Sequence, residues 1–313
     1  VSVKQMIVKT TDKPPSVRVF IAAAAVGLAG LVAMIGWDSG AGMVGTIPHS
    51  KSVTYTLSVL PMFILIGFLA FHAGITEKLF DAATKWLGWV PGGLAVATVM
   101  AATGFAAVSG ASTATAAVFS RVAIPDMLKA GYDKRLAAGV VAAGGTLATL
   151  IPPSAILVIY AIIVEESVGM LLVAGFLPGI VSALVYMALI VIMVRLNPKL
   201  GRPIRGFTWA QRWKSVPGTF PIIAVVLIIF SAMYFGWATP TEAGALGAFV
   251  VFALALFQGM RWKGLQDALL ESAKLTVMIF SIIWGVLIFV RFLGFAGLPE
   301  AFAQWVVSLD VPP

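Results

Sequence analysis

The chain has 313 residues, of which 60% are apolar and only 11% charged, whereas soluble domains run at about 45–50% and about 25%. No soluble core hides that much apolar surface, so a soluble enzyme, a disordered tail and a disulfide-stapled module are excluded and a lipid bilayer is the expected solvent. Cysteine is absent, which removes thiol catalysis and Cys-ligated metal sites. The net charge of +8 is read as the topology signal of a membrane protein, whose basic residues gather on the cytoplasmic side, and no nucleic-acid partner is expected.

In chain order, residues 1–18 carry Lys4, Lys9, Lys13 and Arg18 and read as a cytoplasmic tail. They are not expected to open a signal peptide, because the apolar stretch that follows lacks an A-x-A cleavage site and ends in Trp37-Asp38. A membrane helix needs about 20 mostly apolar residues. Val19–Ile35 and Thr56–His72 fit, and residues 19–91 read as scaffold helices closed by an amphipathic arm. Gly40–Gly45 spells G-x-G-x-x-G, but it follows a membrane helix and leads to Pro48-His49 instead of a helix, so no dinucleotide site is expected. His72 reads as a polar marker at the end of its span.

Residues 92–164 are apolar yet wrong for ordinary helices. Gly92–Ile124 is too long for one span and too short for two, with Val108-Ser109-Gly110-Ala111-Ser112 in its middle, and predicts a re-entrant helical hairpin. Leu136–Val164 is interrupted by Gly144-Gly145-Thr146 and by Pro152-Pro153-Ser154. Two prolines remove two backbone donors, which predicts a helix broken inside the membrane. Met170–Val194 and Pro217–Trp237 are further spans within a scaffold segment 165–260, joined by a basic loop 195–216. Ala243–Gln258 is short and reads either as a tilted span or as an arm. Leu275–Leu293 is the last span.

With the tail inside and the hairpin entering and leaving by one face, 19 of the 21 Lys and Arg fall on the inner side. Ala73-Gly74-Ile75-Thr76-Glu77 resembles Ala296-Gly297-Leu298-Pro299-Glu300, and this topology puts the two copies on opposite faces, the pattern of an inverted repeat. Residues 261–313 then read as the start of a second repeat, ending at Pro313 where its own hairpin would follow. The fold class is an all-α polytopic membrane protein, an inverted-repeat transporter with a re-entrant hairpin and a broken helix.

Broken helices persist in hydrocarbon only where protein, water or a ligand satisfies the freed backbone. A hairpin tip facing a helix break offers hydroxyls, carbonyls and helix N-termini together, which suit a hard cation such as sodium and an anionic substrate. The candidates are Ser109, Gly110, Ser112 and Thr113 at the tip, and Gly145, Thr146, Pro152, Pro153 and Ser154 at the break. The plain alternative is that these small residues let helices pack closely. No Asp or Glu falls near the middle of a predicted span, so a carboxylate proton relay is unsupported. No nucleophile–base pair points to an enzyme.

Several motifs follow one another in order: Pro61-Met62-Phe63-Ile64-Leu65-Ile66-Gly67, Gly88-Trp89-Val90-Pro91-Gly92-Gly93, Ser109-Gly110-Ala111-Ser112, Ile124-Pro125-Asp126-Met127, Gly144-Gly145-Thr146, Ile151-Pro152-Pro153-Ser154 and Gly236-Trp237-Ala238-Thr239-Pro240-Thr241-Glu242-Ala243. Together they resemble the large membrane subunit, of dicarboxylate-permease type, of tripartite ATP-independent periplasmic (TRAP) transporters, over about residues 53–308. The resemblance implies a sodium-driven importer of organic acids in a bacterial inner membrane. It also implies two partners, a small membrane subunit and a periplasmic substrate-binding protein, and an elevator in which residues 92–164 move. No cofactor is implied beyond sodium as coupling ion, for which the resemblance implies Ser109, Gly110, Ser112 and Thr146, leaving Thr113, Gly145, Pro152, Pro153 and Ser154 as candidates for substrate. An ion-coupled anion symporter without extra subunits and a non-transporting scaffold or assembly subunit are the competing readings.

Overall fold

The computed structural model describes residues 15–52, 55–164, 166–204 and 206–309. The tail lysines, Glu165, Arg205 and Val311-Pro312 lie outside these residues. The described chain is helical throughout and falls into two compact units, residues 55–273 and a second made of 1–54 with 274–313.

In the smaller unit, α1 (Pro15–Ile35) and α2 (Trp37–Ser52) are joined at Gly36, whose φ of 84° reverses the chain between them. The G-x-G-x-x-G stretch lies inside α2 and does not form a loop, so its amides are largely used by the helix and cannot cradle a phosphate. The last helices are α13 (Trp262–Phe295), of which residues 274–295 belong here, and α14 (Leu298–Ser308). Small residues set the packing. A Cβ on Gly27 would come 2.8 Å from Ile288 and one on Gly30 would come 2.3 Å from the Phe292 ring, so α1 and α13 approach at glycines, as membrane helices commonly do.

The larger unit runs from a 3-10 turn at Tyr55–Ser58 through α3 (Val59–His72), α4 (Ile75–Leu87), α5 (Gly93–Ser109), α6 (Ser112–Lys129), α7 (Lys134–Leu147) and α8 (Ala155–Ile163). It continues with α9 (Val168–Leu196), α10 (Trp209–Ser215), a 3-10 turn at Val216–Gly218, α11 (Phe220–Tyr234) and α12 (Pro240–Phe257) to the first turns of α13. The centre is α5, buried along nearly its whole length. Its run of Ala and Gly leaves room for neighbours on every side, and α4, α6, α7 and α9 all pack on it. Phe105 on α5 meets Phe119 on α6 edge to face at 5.9 Å, both fully buried.

Three helices, α9, α12 and α13, are each long and apolar enough to cross a membrane, and two bent pairs, α3–α4 (69°) and the pair formed by 209–218 with α11 (47°), raise the number to five if each is one span. The segment read as either a tilted span or an arm, 243–258, is thus long and apolar enough to span. The final span starts earlier than expected, since α13 begins at Trp262. The second hairpin arm also runs on to Lys129 through Pro125. One missing donor does not end a helix that continues to a cap five residues later. At that cap the Gly131 amide donates to Leu128 O, the Tyr132 amide donates to Met127 O, and Gly131 takes φ 79°.

His72 is more than an end marker. Its Nε2 lies 3.6 Å from Glu271 Oε2, while Glu271 Oε1 lies 4.0 Å from Arg121, so one carboxylate links α3, α6 and α13. The paired motifs at 73–77 and 296–300 share their backbone. Gly74 and Gly297 both sit at the start of an amphipathic helix in the left-handed region, with φ/ψ of 72°/12° and 68°/14°. Each amide donates three residues back, to Phe71 O and to Gly294 O.

Tyr132 ties the start of α5 to the loop after α9. Its buried hydroxyl accepts from the Leu94 amide at 3.1 Å and donates to Arg202 O at 2.8 Å. Burial pushes the phenol pKa up, against the lowering effect of the Leu94 amide. Tyr132→Phe leaves an amide of the first turn of α5 unpaired in a buried place, which costs about 1–3 kcal/mol. A thermal unfolding midpoint in detergent below that of the parent is expected, and an unchanged midpoint would contradict the role assigned to this hydroxyl.

Candidate functional site

The expected hairpin tip and the expected helix break are in direct contact. At the tip, α5 ends at Ser109, Gly110 reverses the chain with φ 60°, and Ala111 is extended before α6 begins at Ser112. At the break, α7 ends at Leu147, turns and bends occupy 148–153, the Pro152–Pro153 peptide is cis, and Ser154 caps α8. The Ala155 amide, which starts α8 and has no partner within it, donates to Gly110 O at 2.9 Å. The two backbones are so close that a Cβ on Gly110 would sit 2.1 Å from Pro153 O.

Each side of the contact is locked by hydroxyls. Thr115 Oγ1 donates to Ala111 O at 3.0 Å. A hydroxyl carries one proton, so in the 2.9 Å pair between Ser109 and Thr115 it is Ser109 that donates. Ser154 Oγ donates to Thr149 O at 2.7 Å and accepts from the Leu157 amide at 3.4 Å. Both serines are buried, yet both keep lone pairs. Around them, Gly67 of α3 lets Ser109 approach, with a notional Cβ 2.7 Å from Ser109 Cβ, and Gly145 of α7 lies against α6, its notional Cβ 2.9 Å from Ala116 Cβ and 3.2 Å from Ser112 O.

The expected residues therefore divide. Ser109, Gly110, Ser112, Gly145, Pro152, Pro153 and Ser154 gather at the tip and the break. Thr146 is exposed, donating to Ala143 O at 2.7 Å and lying 3.3 Å from the Tyr186 hydroxyl of α9. Thr113 is exposed as well. Among the described residues the carbonyls of Ala148, Leu150, Ile151, Pro152 and Pro153 receive no hydrogen bond, so the break offers neutral oxygens. Among the same residues no group of three His, Cys, Asp or Glu could hold a metal ion, so a cation here would meet hydroxyls and carbonyls. A cavity of about 650 Å³ lies elsewhere, between α4 and α6, with Asp81, Arg121 and Asp126 on its wall.

Sequence reasoning missed Thr115 and Tyr186. Thr115 stands six residues past Ser109, and only the turn at Gly110 brings the two together. Tyr186 carried a signal, since a hydroxyl inside an apolar helix needs a partner.

Residues 15–313 match the family model described as the DctM component of the tripartite ATP-independent periplasmic transporter. The chain belongs to that family. It is 38% identical over 263 residues to the C4-dicarboxylate TRAP transporter large permease protein DctM of Pseudomonas aeruginosa, covering 83% of this chain and 61% of that protein. The protein of the same name from Vibrio cholerae is 30% identical over 316 residues, 93% of this chain and 69% of its own length. The sialic acid TRAP transporter large permease protein SiaM of Vibrio cholerae is 28% identical over 266 residues, 83% of this chain and 61% of that protein. The chain thus spans about three-fifths to two-thirds of these relatives. The family is one of transporter components and not of enzymes.

The contact makes a clear forecast for glycine substitutions. Gly110→Ala meets Pro153 O and a left-handed backbone and is expected to destabilise by about 1–3 kcal/mol. Gly139→Ala, in open space within α7, is expected to be neutral or to stabilise by up to about 1 kcal/mol. Thermal unfolding of the two variants side by side checks this, and equal midpoints would contradict the tight approach.

Proposed function

We propose that this chain is the permease part of a sodium-coupled secondary transporter that imports organic acids. The observation that carries the reading is the bond from the Ala155 amide to Gly110 O, which joins a hairpin tip to a helix break within a family of transporter components. Uncapped carbonyls and hydroxyls are the ligands a hard cation takes, and helix N-termini attract carboxylates. In this reading Ser109, Gly110 and Ser112 serve sodium and Gly145, Pro152, Pro153 and Ser154 face the substrate, while Thr146 and Thr113, which are exposed, stay outside the contact. Binding of sodium would offset the cost of bared oxygens and so favour the state that accepts an anionic substrate.

Relatives named for C4-dicarboxylates and sialic acid support organic acids as the substrate class. Family membership also supports two partners, a small membrane subunit and a periplasmic substrate-binding protein, at a bacterial inner membrane. The 19-to-2 distribution of basic residues supports a cytoplasmic N-terminus. Residues 92–164 would form the moving part of an elevator, with 19–91 and 165–260 as scaffold. The matching turns at Gly74 and Gly297 support 261–313 as the start of an inverted repeat.

Proteoliposomes holding the full-length protein and its small subunit test the coupling. Labelled dicarboxylate is expected to accumulate only with an inward sodium gradient and the binding protein present. Uptake that persists when potassium replaces sodium would refute it.

A further inference from the structure

Where α9 leaves the apolar layer, the chain forms a small basic cavity that the transport reading does not use. It is an open groove of about 360 Å³ whose surface is mostly apolar, and its lining residues include Arg195, Lys199 and Arg202 with Pro91, Pro198 and Pro203 and no carboxylate. Among the described residues none of the three cations makes an ion pair. Asp133 comes near in the chain fold, its amide donating to Leu200 O at 3.0 Å, but its carboxylate is turned to the Arg135 and Leu136 amides as the cap of α7. Three exposed positive charges gathered at one concave place with no carboxylate among them make a local positive field that an anion would join.

The cradle is held in shape by its backbone. The Ile204 amide donates to Gly88 O at 2.8 Å, Arg202 O accepts from the Tyr132 hydroxyl, and Gly201 lies flat on the Tyr132 ring, where a Cβ would sit 2.4 Å from Cε1. Gly92 seats Val194 and Ile190 of α9 in the same way. These ties, spread between Ile190 and Ile204, fix the loop.

We propose that this cavity binds the phosphate headgroup of an anionic membrane phospholipid. Two features select a lipid over a free anion. Arg195 stands in the last turn of a 29-residue apolar helix, so the cations sit at the depth of headgroups. On the same helix, Leu189 and Ile192, in the turns before Arg195, are exposed and offer apolar surface to acyl chains. Basic pockets at the ends of membrane helices recognise anionic lipids through this combination of charge and apolar wall.

Native mass spectrometry of the full-length protein, extracted from vesicles of phosphatidylglycerol and phosphatidylcholine in equal amounts, tests the proposal. The parent is expected to retain phosphatidylglycerol. The variant Arg195→Gln, Lys199→Gln, Arg202→Gln is expected to lose it, with affinity falling about fivefold per cation removed. The control Lys214→Gln, Arg261→Gln, Lys263→Gln, which removes the same charge elsewhere, is expected to keep it. Equal retention by the two variants, or a parent that holds both lipids alike, overturns the proposal. So does displacement of the lipid by millimolar inorganic phosphate, which would assign the cradle to a free anion. Loss of the co-purifying small subunit from the first variant with lipid retention unchanged would overturn it in favour of an acidic protein segment. If the triple variant does not fold, Lys199→Gln alone carries the same comparison.

Discussion

Backbone groups in hydrocarbon have no water to turn to, and an amide or carbonyl left bare there costs several kcal/mol. The larger unit meets this constraint at one place above all. Two interrupted segments lie against each other, and the carbonyl at the hairpin tip takes the amide that the broken helix leaves free. Gly110 makes the approach possible because it alone accepts both the left-handed turn and the nearness of Pro153 O. The hydroxyls of Ser109, Thr115 and Ser154 then hold each side in shape, so the contact is built from local order as well as from packing.

Much of this was legible in the sequence, for definite physical reasons. A Gly-Ala step within 30 apolar residues has few outcomes except a reversal, and a Pro-Pro pair cannot continue a helix. The hairpin, the break and the tip residues followed from those two facts. Side-chain partners did not. Thr146 looks like a neighbour of Gly145 in sequence, yet on α7 it points to Tyr186 and an open surface. The length of α6 was also hidden, because the apolar stretch ends at Ile124 before Pro125, while the cap at Ala130 and Gly131 is what ends the helix. His72 appeared as a lone interfacial residue because Glu271 and Arg121 are remote from it in the chain.

Family membership and geometry answer different questions. The match over residues 15–313 places the chain among transporter components, while the contact of tip and break is where the proposed site lies. The basic cradle at the end of α9 belongs to neither. It reflects the other demand on a membrane protein, that its helix ends be anchored in a charged interface, and Tyr132 ties the cradle loop to the start of α5.

The central claim concerns one amide. Site-resolved hydrogen–deuterium exchange of the protein in lipid nanodiscs reads it directly. The account requires the Ala155 amide, first in its helix and without an intrahelical acceptor, to exchange slowly because Gly110 O holds it. Exchange at the rate of a free helix-start amide would mean that tip and break are apart, and the account would fail.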